Sequence, residues 1–186
     1  MPIESTEITL KTTMPAFELK DTEGKVHKSD TLIGSKGMLV VFTCNHCPYA
    51  KAVWPRLVKL AEFAKGSGVS VVGINPNIHP SYPEDAPEVM KEKVKEWKIN
   101  FPYLIDDTQR VAAEFKAQCT PDIFLFNRER ELVYHGRIDD NWQDETRVTR
   151  EELRDAIAKL ARNQPIQGAQ YPSLGCSIKW RVNPYN

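Results

Sequence analysis

Two apolar runs predict the central strands of a sheet. Met38 to Phe42 and Val69 to Ile74 are mostly apolar and contain β-branched residues, a composition that is typical of strands buried on both faces. Between them, apolar residues recur at helical spacing from Ala50 to Ala64. Pro55 lies inside this predicted helix and should kink it, because proline removes one backbone donor.

The remaining pattern continues the alternation of strands and helices. A hairpin is predicted over residues 17–27, a helix beginning with Asp85 as its cap, an antiparallel hairpin over residues 123–134, and a last helix over residues 149–161. Alternating strands and helices favour a mainly parallel sheet covered on both faces. The sequence therefore predicts an α/β fold with a central mixed β-sheet flanked by helices and an N-terminal β-hairpin.

Length and composition indicate one globular domain. The chain has 186 residues, of which 41% are hydrophobic and 27% are charged, and these are ordinary globular values. We assign residues 1–163 to the domain and residues 164–186 to an irregular C-terminal tail that packs on or near the domain. The formal net charge is zero, so nothing in the charge favours a nucleic acid or a membrane as partner. The N-terminus lacks the pattern of a secretory signal, and we expect a cytoplasmic protein.

The four cysteines carry the main chemical signal. Cys44 and Cys47 form a C-x-x-C motif where a buried strand ends and a helix begins, a spacing that allows a disulfide between them. Partial positive charge at a helix N-terminus stabilises a thiolate, and thiols so placed have pKa values of roughly 3.5–7.5. His46, as an imidazolium, would favour a thiolate at Cys44. Cys119 and Cys176 are possible additional redox cysteines, although inert packing is the simpler interpretation of both.

Metal binding is the alternative use of these thiols. Structural zinc takes four ligands, usually from a second cysteine pair or a closely spaced histidine pair, and the other cysteines and histidines are scattered. Two thiolates and His46 would suit copper, a soft metal. Dithiol redox chemistry explains the motif without a metal or an organic cofactor, and we predict neither.

Several segments resemble a known family. The strand, C-x-x-C and helix, followed by Thr-Pro before a hairpin, are similar to the thioredoxin fold. Residues 12–21, 71–77 and 120–126 resemble the peroxiredoxin-like branch, known as the alkyl hydroperoxide reductase/thiol-specific antioxidant (AhpC/TSA) family. Residues 44–49, 134–140 and 175–180 resemble the uncharacterised subgroup of that family that carries a C-x-x-C motif.

The resemblance implies a thioredoxin-like three-layer sandwich and roles for particular residues. Cys44 matches an exposed nucleophilic cysteine and Cys47 matches the resolving one. Pro121 matches a cis-proline that faces the motif, and Thr120 matches the residue whose backbone would pair with a bound peptide. The implied activity is thiol–disulfide oxidoreduction on protein or low-molecular-weight thiols and disulfides.

A thiol-dependent peroxidase is the first alternative, and a copper chaperone is the second. Peroxiredoxins carry P-x-x-x-T-x-x-C, whereas here Thr43 is followed at once by Cys44. The segment from Ala117 to Thr120 contains no arginine where many peroxiredoxins have one. Arg137 is the candidate to replace it.

Overall fold

The two apolar runs form neighbouring central strands. The computed structural model describes residues 1–185. Its strands are β1 (Pro2–Glu4), β2 (Glu18–Asp21), β3 (Val26–Lys28), β4 (Gly37–Phe42), β5 (Val69–Asn75), β6 (Tyr103–Ile105), β7 (Cys119–Thr120), β8 (Asp122–Asn127), β9 (Leu132–His135) and β10 (Leu174–Ser177). Its helices are α1 (Ser29–Leu32), α2 (Pro48–Gly66), α3 (Pro87–Glu96), α4 (Arg110–Glu114) and α5 (Glu152–Ala161), with 3-10 helices at Pro83–Asp85 and Glu145–Arg147.

A seven-stranded mixed sheet forms the middle layer. Its strand order is β3-β2-β6-β5-β4-β8-β9. Strand β4 pairs in parallel with β5 and antiparallel with β8, and all of its residues are buried. Strands β2 and β3 pair antiparallel as the predicted N-terminal hairpin. The prediction of a central mixed sheet is confirmed.

Side chains of β4 alternate between two hydrophobic clusters, one on each face of the sheet. Leu39 and Val41 pack in one cluster with residues of α2 and α5, such as Trp54. Phe42 packs in the other cluster with Phe115, which follows α4. Helical and loop residues therefore cover both faces. Among the described residues, no helix is both long enough and apolar enough to cross a membrane.

The C-terminal tail departs from the prediction of an irregular segment. Strand β10 lies within residues 164–186 and forms a second sheet in the order β1-β10-β7. Its register places Cys176 opposite both Pro2 and Thr120. The strand has four residues and little apolar alternation, so its formation depends on distant partners that local sequence cannot reveal.

Gly175 allows β10 to approach the Thr120–Pro121 corner closely. A Cβ atom at this position would lie 2.3 Å from the Thr120 carbonyl oxygen and 2.6 Å from its carbonyl carbon. Backbone atoms cannot move aside as a flexible side chain can. A side chain at position 175 therefore requires β10 to shift away from β7.

Replacement of Gly175 by alanine should lower the free energy of unfolding by about 1–3 kcal/mol, a typical cost of an inserted methyl group in a tightly packed place. Urea denaturation measures this change. Gly66→Ala is the matched control, because a Cβ at Gly66 would meet nothing within 4 Å and alanine is the better helix former. Equal stability of the Gly175→Ala variant and the wild type would contradict the close approach.

Candidate active site

The C-x-x-C motif occupies the loop between β4 and α2. Cys44 follows the end of β4, and Cys47 is the N-cap residue of α2, which begins at Pro48. The indole nitrogen of Trp54 donates a hydrogen bond of 3.2 Å to the Cys44 carbonyl oxygen, which ties the loop to the helix. Cys44 and Cys47 are both 0% exposed. The expectation that Cys44 faces solvent is therefore wrong, because the loop folds inward against Thr120.

Thr120 contacts both sulfur atoms of the motif. Its hydroxyl oxygen lies 3.2 Å from the Cys44 sulfur, and its carbonyl oxygen accepts a hydrogen bond of 3.1 Å from the Cys47 thiol. The Thr120–Pro121 peptide bond is cis, as predicted. The structure thus brings together Cys44, Cys47 and the Thr120–Pro121 corner.

The backbone of Thr120 is already paired. Strand β10 lies antiparallel to β7 with Cys176 opposite Thr120, so this edge is occupied by the chain's own tail. The expectation that Thr120 leaves its backbone open to a substrate peptide is therefore wrong, because β10 pairs with it. Cys176 packs against the cluster of Cys44, Cys47 and Ala50.

Cys119 lies in the same strand as Thr120 but is oriented differently. Its side chain is fully buried, and its sulfur lies 3.4 Å from the Pro121 carbonyl oxygen. Burial raises the pKa of the Cys119 thiol well above its usual value. A buried, protonated thiol of this kind is consistent with packing rather than chemistry.

Asp85 is the functional residue that sequence reasoning assigned to another role. We predicted it as the cap of α3, but α3 begins at Pro87 with Ala86 as its N-cap. The Asp85 carboxylate is fully buried, accepts a hydrogen bond of 2.6 Å from the Asn45 backbone N–H and pairs with Nδ1 of His46. One signal could have found it: the loop after β5 leaves the same edge of the sheet as the loop after β4, where sites in such sheets collect.

Buried polar side chains beneath the loop hold Asp85 in place. Nδ2 of Asn75 donates to Oδ1 of Asp85 at 3.0 Å, and the Tyr103 hydroxyl donates to Oδ1 of Asn45 at 2.9 Å. The ring of His46 lies 4.7 Å from that of Tyr82, centroid to centroid. These contacts fix the side chains of Asn45 and His46 between the two cysteines.

The two thiols of the motif have opposite pKa shifts. Burial raises the pKa of Cys44 well above its usual value, and the neighbouring Cys47 and the Asp85 carboxylate raise it further. Cys47 has its pKa lowered to about 5, chiefly because the Cys44 thiol donates to it, with further donation from Cys176 and from the Ala50 backbone. Of the two motif thiols, Cys47 is therefore the one whose ionisation these surroundings favour, and its ionisation gives up the hydrogen bond that the protonated thiol donates to Thr120. His46 does not produce the expected thiolate at Cys44, since the carboxylate paired with it opposes that charge.

The same groups could also hold a cation. The ligand atoms of Cys44, His46 and Asp85 all lie within 4.8 Å of one another. A thiolate, an imidazole and a carboxylate form a donor set that zinc accepts. Any metal bound there would occupy the Cys44 sulfur.

Replacement of Asp85 by asparagine should lower the pKa of Cys44, because a neutral amide no longer repels the Cys44 thiolate. We expect Cys44 to ionise at lower pH than in the wild type when the ultraviolet absorbance of the thiolates is followed against pH in the reduced protein. Asp107→Asn is the matched control, since Asp107 is exposed. An unchanged Cys44 titration in Asp85→Asn would show that the carboxylate does not act on this thiol.

Comparison with known proteins agrees with this architecture. The AhpC/TSA family matches residues 10–135. The thiol-disulfide oxidoreductase ResA of Bacillus subtilis (strain 168) is 27% identical over 119 residues, which are 64% of this chain. The match covers 62% of that relative, so the chain spans less than two thirds of its length.

Solved structures extend the comparison. An uncharacterised conserved protein from Geobacillus kaustophilus is 39% identical, with a TM-score of 0.94 and 98% of each chain covered. The thioredoxin domain of a Bacteroides vulgatus thiol-disulfide oxidoreductase is 21% identical, with a TM-score of 0.58, 69% of this chain covered and 89% of that chain. These similarities confirm the predicted thioredoxin-like fold, and the match over residues 10–135 shows that the chain belongs to the AhpC/TSA family.

Proposed function

We propose that this protein is a thiol–disulfide oxidoreductase that uses Cys44 and Cys47 as a redox pair. The observation that carries the proposal is the shared contact of both sulfurs with Thr120, combined with a thiolate stabilised at Cys47. The name of the Bacillus subtilis relative supports the same reaction class. The substrates in this proposal are protein or low-molecular-weight disulfides and thiols, and the cytoplasmic location expected from the sequence is part of it.

The reaction begins at Cys47 because the thiolate is the attacking form of a cysteine. The Cys47 thiolate attacks one sulfur of the substrate disulfide, and the other sulfur leaves as a thiolate that takes up a proton. Cys44 then loses its proton and attacks the Cys47 sulfur, which releases the second substrate thiol. The substrate disulfide is reduced by two electrons, and a Cys44–Cys47 disulfide is formed.

This order reverses the roles implied by the family resemblance. The resemblance makes Cys44 the nucleophile, but burial and the Asp85 carboxylate oppose a thiolate there. Cys47 instead caps a helix of 19 residues, whose N-terminus carries about half a positive charge. The electrostatic difference between the positions therefore favours Cys47 as the first nucleophile.

The Asp85–His46 pair is suited to receive the proton that Cys44 must lose. The carboxylate and the imidazole both lie beside the Cys44 sulfur. A proton acceptor is needed only in the second step, when Cys44 attacks. This assigns Asp85 and His46 to the closing of the disulfide rather than to the first attack.

A thiol-dependent peroxidase remains the alternative, favoured by membership of the AhpC/TSA family. The groups that set the pKa of Cys44 include a carboxylate and no cation. Nε of Arg137, the residue considered for a peroxide site, donates to Glu152 at 3.0 Å, and its guanidinium lies over the ring of Tyr171. Consumption of hydroperoxide by the reduced protein, measured beside reduction of a disulfide, separates the two activities.

Two double variants test which cysteine attacks first. Both carry Cys176→Ser, so that the neighbouring thiol cannot interfere, together with either Cys44→Ser or Cys47→Ser. At about pH 6 with oxidised glutathione, we expect the variant that retains Cys47 to form the mixed disulfide about tenfold faster, because its larger thiolate fraction outweighs its lower nucleophilicity.

Mass spectrometry of the acid-quenched proteins measures the mixed disulfide. Serine at position 44 keeps a hydroxyl donor beside Cys47, so the test removes the second sulfur without removing that hydrogen bond. Faster trapping at Cys44 would restore the order implied by the resemblance. Failure of both variants to form a mixed disulfide would contradict the proposed function itself.

A further inference from the structure

Cys176 approaches the redox pair from a separate part of the chain. Strand β10 places it directly opposite Thr120, the residue that contacts both sulfurs of the motif. Its side chain packs directly on the cluster that Cys44 and Cys47 form with Ala50. Three sulfur atoms therefore meet at one backbone corner.

The position of Cys176 is fixed from both sides. Strand β1 pairs with the outer edge of β10, with Pro2 opposite Cys176. On the inner side, Gly175 permits backbone contact with Thr120 that no other residue allows without a shift. Strands β1 and β7 therefore both hold the backbone that carries Cys176.

Exposure separates the three thiols. Cys44 and Cys47 have no exposed surface, whereas Cys176 is half-buried. In this conformation, a disulfide held between Cys44 and Cys47 is less accessible to an external thiol than a disulfide that includes Cys176. A disulfide between Cys47 and Cys176 would have one sulfur at the surface.

We propose that Cys176 is a third redox cysteine, which accepts the disulfide from Cys47 and presents it to external thiols. This inference rests on the proposed function of the Cys44–Cys47 pair. It adds an exit step to that function, and it gives β10 a role in the reaction.

The transfer is a balanced exchange without net oxidation. Cys176 loses its proton, and its thiolate attacks the Cys47 sulfur of the Cys44–Cys47 disulfide. The Cys47–Cys176 bond forms, the Cys44–Cys47 bond breaks, and the electron pair leaves on Cys44, which takes up a proton. An external thiol then attacks the Cys176 sulfur and Cys47 leaves as a thiolate. A second external thiol releases Cys176 and forms the external disulfide.

The electrostatics of the reduced state are consistent with this direction. Burial and the nearby Cys47 raise the pKa of Cys176 to about 11 when all three thiols are reduced. Conversion of Cys47 to a disulfide removes its negative charge and so eases ionisation of Cys176. Cys176 is therefore easier to ionise, and so more nucleophilic, when Cys44 and Cys47 form a disulfide than when both are reduced.

The Cys44→Ser variant tests the contact chemically. It retains Cys47, Cys119 and Cys176. After treatment with oxidised glutathione, acid quenching and denaturation, we expect one free thiol, at Cys119, and a Cys47–Cys176 disulfide in the peptide map. A stable glutathione adduct at Cys47 with Cys176 still free would overturn the inference.

The Cys44→Ser/Cys176→Ser variant makes failure of the inference distinguishable from failure of the proposed function. An adduct at Cys47 in this double variant, without a Cys47–Cys176 bridge in the single variant, would overturn the third redox cysteine and leave the Cys44–Cys47 chemistry intact. Absence of the adduct in the double variant, together with absence of both the adduct and the bridge in the single variant, would overturn both proposals. Formation of the bridge supports both.

The rate at which external thiols reduce the oxidised protein tests the exit step, that is, the transfer of the disulfide through Cys176. The variant used here retains Cys44, Cys47 and Cys119. With reduced glutathione, we expect Cys176→Ser to regenerate its Cys44–Cys47 thiols about tenfold more slowly than the wild type, because attack must then occur at a buried sulfur. Ser177→Ala lies in the same strand and should match the wild type. Equal rates for Cys176→Ser and the wild type would overturn the exit step.

Discussion

Contact of the Thr120–Pro121 corner with the C-x-x-C loop is the interaction on which the rest of the site depends. The register of the central sheet sets it, because Phe42 at the end of β4 pairs with Asp122, directly after the corner. From there the hydroxyl of Thr120 reaches Cys44, and its carbonyl oxygen reaches Cys47. The same residue pairs with β10, which brings Cys176 to the site. One corner of the backbone thereby gathers three thiols from two distant parts of the chain.

Unequal surroundings give the two motif cysteines different chemistry. Cys47 is the N-cap residue of α2, and the neighbouring thiols and backbone groups lower its pKa, whereas the buried Asp85 carboxylate raises the pKa of Cys44. One pKa unit corresponds to about 1.4 kcal/mol between the two protonation states, so modest contacts suffice to separate the thiols. The separation lets one sulfur attack first and the other close the disulfide.

Much of the fold could be predicted from local sequence. The runs at Met38–Phe42 and Val69–Ile74 belong to strands because their burial on both faces requires continuous apolar residues. The C-x-x-C motif is equally local, since both cysteines and the start of α2 lie within five residues. The cis bond at Pro121 followed from the family resemblance.

Contacts between distant residues could not be predicted in the same way. Asp85 resembles an ordinary helix cap, and only the tertiary structure turns its carboxylate toward Asn45 and His46. Strand β10 is stabilised by pairing with β1 and β7 rather than by its own composition. The prediction that Cys44 is exposed was wrong for the same reason, because Thr120, which lies against its sulfur, is 76 positions away in the chain.

The reduction potential of the Cys44–Cys47 pair tests the central claim that a stabilised Cys47 thiolate controls the dithiol. Compared with a cysteine of pKa about 7, as in thioredoxin, a pKa of about 5 at Cys47 stabilises the reduced form at about pH 7 by about 2 kcal/mol, or about 50 mV for a two-electron couple. Relative to thioredoxin at about −270 mV, equilibration of the wild-type protein with glutathione should give a potential near about −220 mV. A potential below about −250 mV, or no disulfide at any glutathione ratio, would contradict the account.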